Sequence, residues 1–109
     1  MSYNVKSIAV FQKQAKRLIK KYPSLKIELL DLVQDLKENP KQGTAIGRSC
    51  FKIRIAVASK GRGKSGGARV ITNFLVSDTT VFLLSIYDKS EKDSLTENEL
   101  NELIKYIPS

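Results

Sequence analysis

The stretch FKIRIAVASKGRGKSGGARVITNF, residues 51–74, contains the change of period that decides the fold. At its start Phe51, Ile53, Ile55 and Val57 alternate with Lys52, Arg54, Ala56 and Ala58. A period of two makes this a strand with one apolar face and one basic face. ARVITNFLV that follows, and TVFLLSIY at 80–87, are apolar on both faces, as central strands are. Ser77-Asp78-Thr79 between them predicts a hairpin turn.

Upstream the period is helical. Ile8, Phe11, Ala15, Leu18, Ile19 and Tyr22 form one apolar stripe, with Ser7 placed to cap it and Pro23 to break it. Ser24 restarts a second helix whose Leu25, Leu29, Leu32, Val33 and Leu36 face inward until Asn39-Pro40. About two residues separate the helices, so an antiparallel pair is expected. A loop through Gly43 and Gly47 then leads into the strands, and Tyr3 with Val5 suggests a short edge strand at the start. Near the end Thr96-x-x-Glu99 is a capping box, Leu95 and Leu100 fit the hydrophobic staple around it, and Leu100, Leu103, Ile104 and Ile107 face inward from a third helix. The expected order is β-α-α-β-β-β-α, an α+β fold in one domain over residues 1–109, with an antiparallel sheet packed against a helix pair.

Charge is distributed unevenly. The chain of 109 residues carries 19 Lys and Arg against 11 Asp and Glu, a net charge of +8. Residues 1–22 hold six cations and residues 41–77 hold eight, with no acid in either block. Folding can therefore gather positive charge into one field, for which a polyanion is the natural partner. The single cysteine, Cys50, excludes an internal disulfide, and neither a signal-peptide core nor a membrane-length apolar run is present. A cytoplasmic protein without a membrane partner is expected.

Gly63-Lys64-Ser65 invites comparison with a phosphate-binding P-loop, which needs Gly-x-x-x-x-Gly-Lys-Ser/Thr between a strand and a helix. Here the first glycine position is Ala58 and a strand follows, so both requirements fail. Gly61 to Gly66 satisfies Gly-x-Gly-x-x-Gly, but no helix follows as a dinucleotide site requires. No nucleotide cofactor is expected. What remains is a basic connection between strands, with Lys60, Arg62 and Lys64, joined by Arg48, as candidate RNA-binding residues.

CFKIRIAVASKGRGKSGGARVITNF followed by FLLSIYDKSEKDSLTENEL resembles the RelE/ParE superfamily of toxin components, and within it the HigB-like, RelE-type mRNA interferases of type II toxin-antitoxin systems. The resemblance extends to the leading helix pair and its KKYPSL junction. It implies a ribosome-dependent mRNA endoribonuclease that enters the A site, contacts rRNA and mRNA there, and is silenced by a cognate antitoxin. It also implies catalytic residues, with Lys52, Arg54, Arg69 and Lys89 at the matching basic positions. Where some relatives carry a functional tyrosine near the last helix, this chain has Leu95, and Tyr87 is the nearest substitute.

The chemistry agrees with a metal-independent route. Attack of a 2′-OH on the adjacent phosphate needs a proton acceptor, stabilisation of extra negative charge, and a donor to the leaving 5′ oxygen. The chain has no histidine, and its acids and single cysteine suggest no metal site. Lys52 beside two arginines would have its ammonium disfavoured by like charge, which makes it the candidate base. Arg54 and Arg69 stay protonated, and their planar forks suit a pentacovalent phosphate. Lys89 or the Tyr87 hydroxyl would donate the second proton. Two other classes compete: a ParE-like, non-enzymatic inhibitor of DNA gyrase and a catalytically inert RNA-binding module. The cations occupy strand positions that match catalytic ones, a constellation the gyrase branch would not need.

Overall fold

The computed structural model describes residues 2–61, 63, 66–75 and 77–108. Its elements run β1 (Asn4–Ser7), α1 (Ala9–Lys21), α2 (Leu25–Glu38), β2 (Thr44–Gly47), β3 (Cys50–Ile55), a 3₁₀ turn (Ala58–Lys60), β4 (Ala68–Phe74), β5 (Thr80–Asp88) and α3 (Glu97–Ile104). The five strands form one sheet in the order β1-β5-β4-β3-β2.

The α+β class and the helix pair are as expected, with two differences in the sheet. Thr44–Gly47, read as part of a loop, is a fourth strand after the helices and pairs antiparallel with β3. Four small or uncommitted residues show no period of their own, so the β3 edge rather than local pattern makes this strand. The sheet is also mixed. The pairings among β2, β3, β4 and β5 are antiparallel, but β1 lies parallel to β5, from Asn4 opposite Thr80 to Ser7 opposite Leu83.

The core follows the two periods. Phe11, Ala15 and Leu18 of α1 and Leu25, Leu29, Leu32 and Leu36 of α2 are buried. Ile53, Val70 and Ile86 lie opposite one another across β3, β4 and β5 and are buried too. Adjacent residues on a strand face opposite ways, so this row and the row Arg54, Arg69, Tyr87 project from opposite faces. All of β4 is buried, consistent with its continuous apolar reading.

The caps differ from one another. Thr96 and Glu99 form the expected capping box, each side chain accepting the other's backbone N–H. Ser7 does not cap α1, which begins from Ile8 in an extended conformation; its Oγ accepts from Gln12 Nε2 at 3.0 Å instead. Beyond Leu83 the outer edge of β5 is no longer paired with β1, and Gln14 covers it. The Gln14 Oε1 accepts from the Ile86 N–H at 3.1 Å and the Ser85 hydroxyl at 3.0 Å, which blunts an open edge. No described helix is long and apolar enough to cross a membrane.

Candidate active site

Arg54 pairs with Arg69 across β3 and β4, and Arg69 pairs with Tyr87 across β4 and β5. Directly opposed residues share a face, so the three side chains form one row across the sheet. Lys52, two residues before Arg54, belongs to the same face in the next row, opposite Ile71. The structure thus places four of the five candidate catalytic residues, Lys52, Arg54, Arg69 and Tyr87, on one face of the sheet.

Their surroundings differ sharply. Arg54 is exposed and Lys52 is half-buried. Arg69 is only 3% exposed, with Nη1 donating to the Ala68 carbonyl at 3.2 Å. Tyr87 is 5% exposed, and its hydroxyl is covered without a hydrogen-bond partner among the described residues. Burial pushes the Tyr87 pKa up while the charge of Arg69 pulls it back, so the phenol is neutral and able to donate. Lys52, Ile71 and Tyr87 line a cleft of about 360 Å³ with Arg48 and residues 94–97 at the start of α3.

Arg48, a candidate RNA contact, sits at the rim of this cleft in the β2–β3 turn. Its φ is 56°, that of Ser49 is 61° and that of Gly47 is 93°. Successive left-handed residues, two of them not glycine, reverse the chain tightly at some conformational cost. The turn is held from the sheet, because Asn73 Nδ2 donates to the Arg48 carbonyl at 3.2 Å. The Arg48 guanidinium lies 3.6 Å from the Glu97 carboxylate, both exposed.

Lys89 and Lys60 are placed differently. Lys89 follows β5, and its ammonium is paired with Asp93, whose carboxyl this bond holds below the usual range. Lys60, expected to face RNA, turns inward to a carboxylate, Asp88, and to the carbonyl of Gly66. Its sequence neighbours suggested an open basic loop, but a flexible four-carbon stem can carry an ammonium back into the fold. Arg62 and Lys64 lie outside the described residues. Asp88 and Asp93, the carboxylates that hold Lys60 and Lys89, both sit in the YDKSEKD stretch on either side of Lys89, where no local pattern marks them as its partners or those of Lys60.

A mixed sheet with a helix pair on one face, and two guanidinium groups, an ammonium and a phenol gathered on the other, defines a basic α+β domain. The chain belongs to the RelE toxin family, described as the toxin of the RelE/RelB toxin-antitoxin system, whose model matches residues 8–107. Among solved structures the fold is similar to that of the Escherichia coli toxin RelE, an arginine-to-alanine double mutant in the free state. The TM-score is 0.65 at 18% identity, covering 99% of this chain and all of that one. It is also similar to a chain of the RelBE2 toxin-antitoxin complex from Mycobacterium tuberculosis, with a TM-score of 0.61 at 19% identity over 81% of this chain and 99% of that one.

Proposed function

We propose that this RelE-family toxin is a ribosome-dependent mRNA endoribonuclease acting by metal-independent 2′-OH attack and neutralised by a cognate antitoxin. The observation that carries the reading is the cross-strand row of Arg54, Arg69 and Tyr87 with Lys52 beside it. In this reading Lys52 accepts the 2′-OH proton. Arg54 and Arg69 hold the phosphate as negative charge develops, with Arg54 at the surface and Arg69 fixed behind it. Tyr87 is better supported than Lys89 as donor to the 5′ oxygen, because it stands in register with Arg69 while the Lys89 ammonium already serves Asp93. Arg48 at the cleft rim contacts the RNA backbone, and the sequence assigns Arg62 and Lys64 to the same purpose. The family match and the antitoxin complex of a structural neighbour support a protein inhibitor as partner.

The test is a reconstituted translation reaction with purified chain, read by mapping mRNA 5′ ends. Cleavage within translated codons that disappears when ribosomes are omitted is the expected result. Intact mRNA, together with a change in DNA supercoiling by gyrase, would replace this reading with gyrase inhibition.

A further inference from the structure

Tyr22 closes the KKYPSL junction between α1 and α2, and the cleavage chemistry makes no use of it. Its N–H donates to the Leu18 carbonyl at 2.7 Å and its carbonyl accepts the Leu25 N–H at 3.0 Å, so both helices fix its backbone. From there its hydroxyl donates to Asp88 Oδ2 at 2.7 Å. Asp88 is the last residue of β5, and its side chain is 1% exposed. It leaves the strand on the face opposite its neighbour Tyr87. Tyr22 therefore holds, from the helix-pair face, the strand end that carries the candidate phenol on the other face.

Asp88 is where the chain turns out of the sheet. Its Oδ1 accepts the Ser90 N–H at 2.9 Å and the Ser90 hydroxyl at 2.8 Å, and is bonded to Lys60 Nζ. Its carbonyl accepts the N–H groups of Glu91 and Lys92, both at 3.0 Å. Beyond this turn, residues 94–97 line the cleft. Oδ1 thus serves the turn, whereas the bond at Oδ2 ties Asp88 to the helix pair. A second tie to α1, from Arg17 Nη2 to Glu91 Oε1 at 2.8 Å, joins two exposed side chains, and such pairs contribute little. The Tyr22 bond is partly buried and has a charged acceptor, which places it among the stronger kinds. Apart from apolar packing, it is the main link between the end of β5 and α1 among the described residues.

We infer that Tyr22 is a positioning residue that, through Asp88, sets the Tyr87 phenol against Arg69 and Lys52. This rests on the nuclease reading, in which Tyr87 donates a proton to the 5′ oxygen. Tyr87 stands opposite Arg69 and lines the cleft, but its hydroxyl has no hydrogen-bond partner among the described residues. Its aim therefore depends on packing and on the backbone of β5. A misplacement of about 1 Å at a reacting group can cost about a hundredfold in rate, so a bond on the back of the sheet can be felt on the front. Tyr22 contributes by fixing where β5 ends, whereas a merely structural tyrosine would contribute only by keeping the chain folded.

The test is a double-mutant cycle of Tyr22→Phe and Tyr87→Phe in the full chain. Phenylalanine keeps the ring at position 22 and removes only the hydroxyl, and thermal unfolding establishes that each variant folds. Single-turnover cleavage on ribosomes is measured together with NMR of the chain carrying ¹³Cζ-labelled tyrosine, in which the Tyr87 signal is identified by its loss in Tyr87→Phe. Tyr22→Phe is expected to move the Tyr87 signal and to lower the maximal rate at least about tenfold, with the ribosome concentration for half-maximal cleavage within about twofold. In the Tyr87→Phe background the same substitution should change the maximal rate by less than about twofold, because the group it positions is gone. An equal fall in both backgrounds marks a merely structural tyrosine and overturns the inference. So does an unmoved Tyr87 signal, a wild-type rate for Tyr22→Phe, or a Tyr22→Phe chain that does not fold. Wild-type cleavage by Tyr87→Phe also overturns it while leaving the nuclease reading in place. If the wild-type chain leaves mRNA on ribosomes intact, the nuclease reading fails, and the Tyr87 signal alone decides whether Tyr22 sets the position of that phenol.

Discussion

Arg54 and Arg69 stand directly opposite each other on β3 and β4, one exposed and the other buried. Two like charges on opposed strand positions repel one another, and in the proposed function an RNA phosphate bound by both forks would offset that repulsion.

Removing the exposed member should separate activity from folding. Arg54→Ala is expected to change stability by about 0.5 kcal/mol or less and to lower single-turnover cleavage on ribosomes by about 10²- to 10³-fold, the usual loss for one preorganised charge-stabilising donor. A cleavage rate equal to wild type would remove Arg54 from the phosphate site.

Arg69 demands a gentler probe. At 3% exposure its stem is part of the packed interior. Arg69→Ala should cost about 1–3 kcal/mol from lost packing alone, so slower cleavage by that variant would prove little. Arg69→Lys keeps the charge and most of the stem while losing the planar fork. It is expected to melt within a few degrees of wild type and to cleave at least about tenfold more slowly. Wild-type cleavage by Arg69→Lys would mean that charge, not bidentate geometry, is what this position contributes.

The row of site residues was legible because a strand period fixes which side chains share a face, and a hairpin fixes which strands are neighbours. From Lys52, Arg54 and Arg69 in FKIRI and ARVI the common face follows without coordinates. Burial did not follow, since an arginine codon reports a charge and not its depth. The β2 strand was hidden because Thr44–Gly47 takes its conformation from pairing with β3. The parallel placement of β1 beside β5 was hidden because it depends on where the helix pair carries the chain. Lys60 and Asp88 are 28 positions apart in sequence, and no local pattern links a loop lysine to a strand-end aspartate.

Tyr87 offers a substitution in which stability and catalysis should move apart. Its hydroxyl is covered and has no hydrogen-bond partner among the described residues, so Tyr87→Phe removes an unsatisfied polar atom. Stability should be unchanged or increased by about 1 kcal/mol, because a buried polar group without a partner carries a desolvation cost. If this phenol donates the proton to the 5′ oxygen, cleavage should fall by about 10²- to 10⁴-fold. Urea unfolding and single-turnover kinetics on one preparation check both parts. Undiminished cleavage would transfer the donor role to Lys89.

The ion pair behind the site should be visible in acid. Burial alone would raise the Asp88 pKa, but the bonds from Lys60, Ser90 and Tyr22 hold it well below the usual carboxylate range. A carboxyl with a depressed folded pKa contributes stability that is present above its unfolded value, about 3.9, and is lost as the pH falls through the folded value. The wild-type chain should lose stability from about pH 4 downward, and the Lys60→Met, Asp88→Asn double variant should lose less over the same interval. Unfolding free energies between about pH 6 and pH 2 provide the measurement. Parallel curves for the two proteins would show that Asp88 is not linked to folding in this way.

Neutralisation by an antitoxin should depend on more than charge. Eight cations and no acid between residues 41 and 77 favour an inhibitor with an acidic face, which speeds association and competes with RNA. Exposed charge pairs are strongly screened at high salt, however, and a toxin must stay silenced at low free concentration. Apolar anchors are therefore needed as well. The helix pair offers Ile27 and Leu30 on α2, 66% and 58% exposed and three residues apart on one side of the helix. A segment that folds on binding could cover them while its acidic residues occupy the cationic face. The toxin–antitoxin complex is expected to weaken with salt yet remain intact by gel filtration in about 1 M NaCl, where the Debye length is about 3 Å. Leu30→Asp should make that salt-resistant fraction dissociate without altering cleavage by the free toxin. Complete dissociation of the wild-type complex at 1 M NaCl would mean that inhibition is mainly electrostatic and that Ile27 and Leu30 are left to solvent.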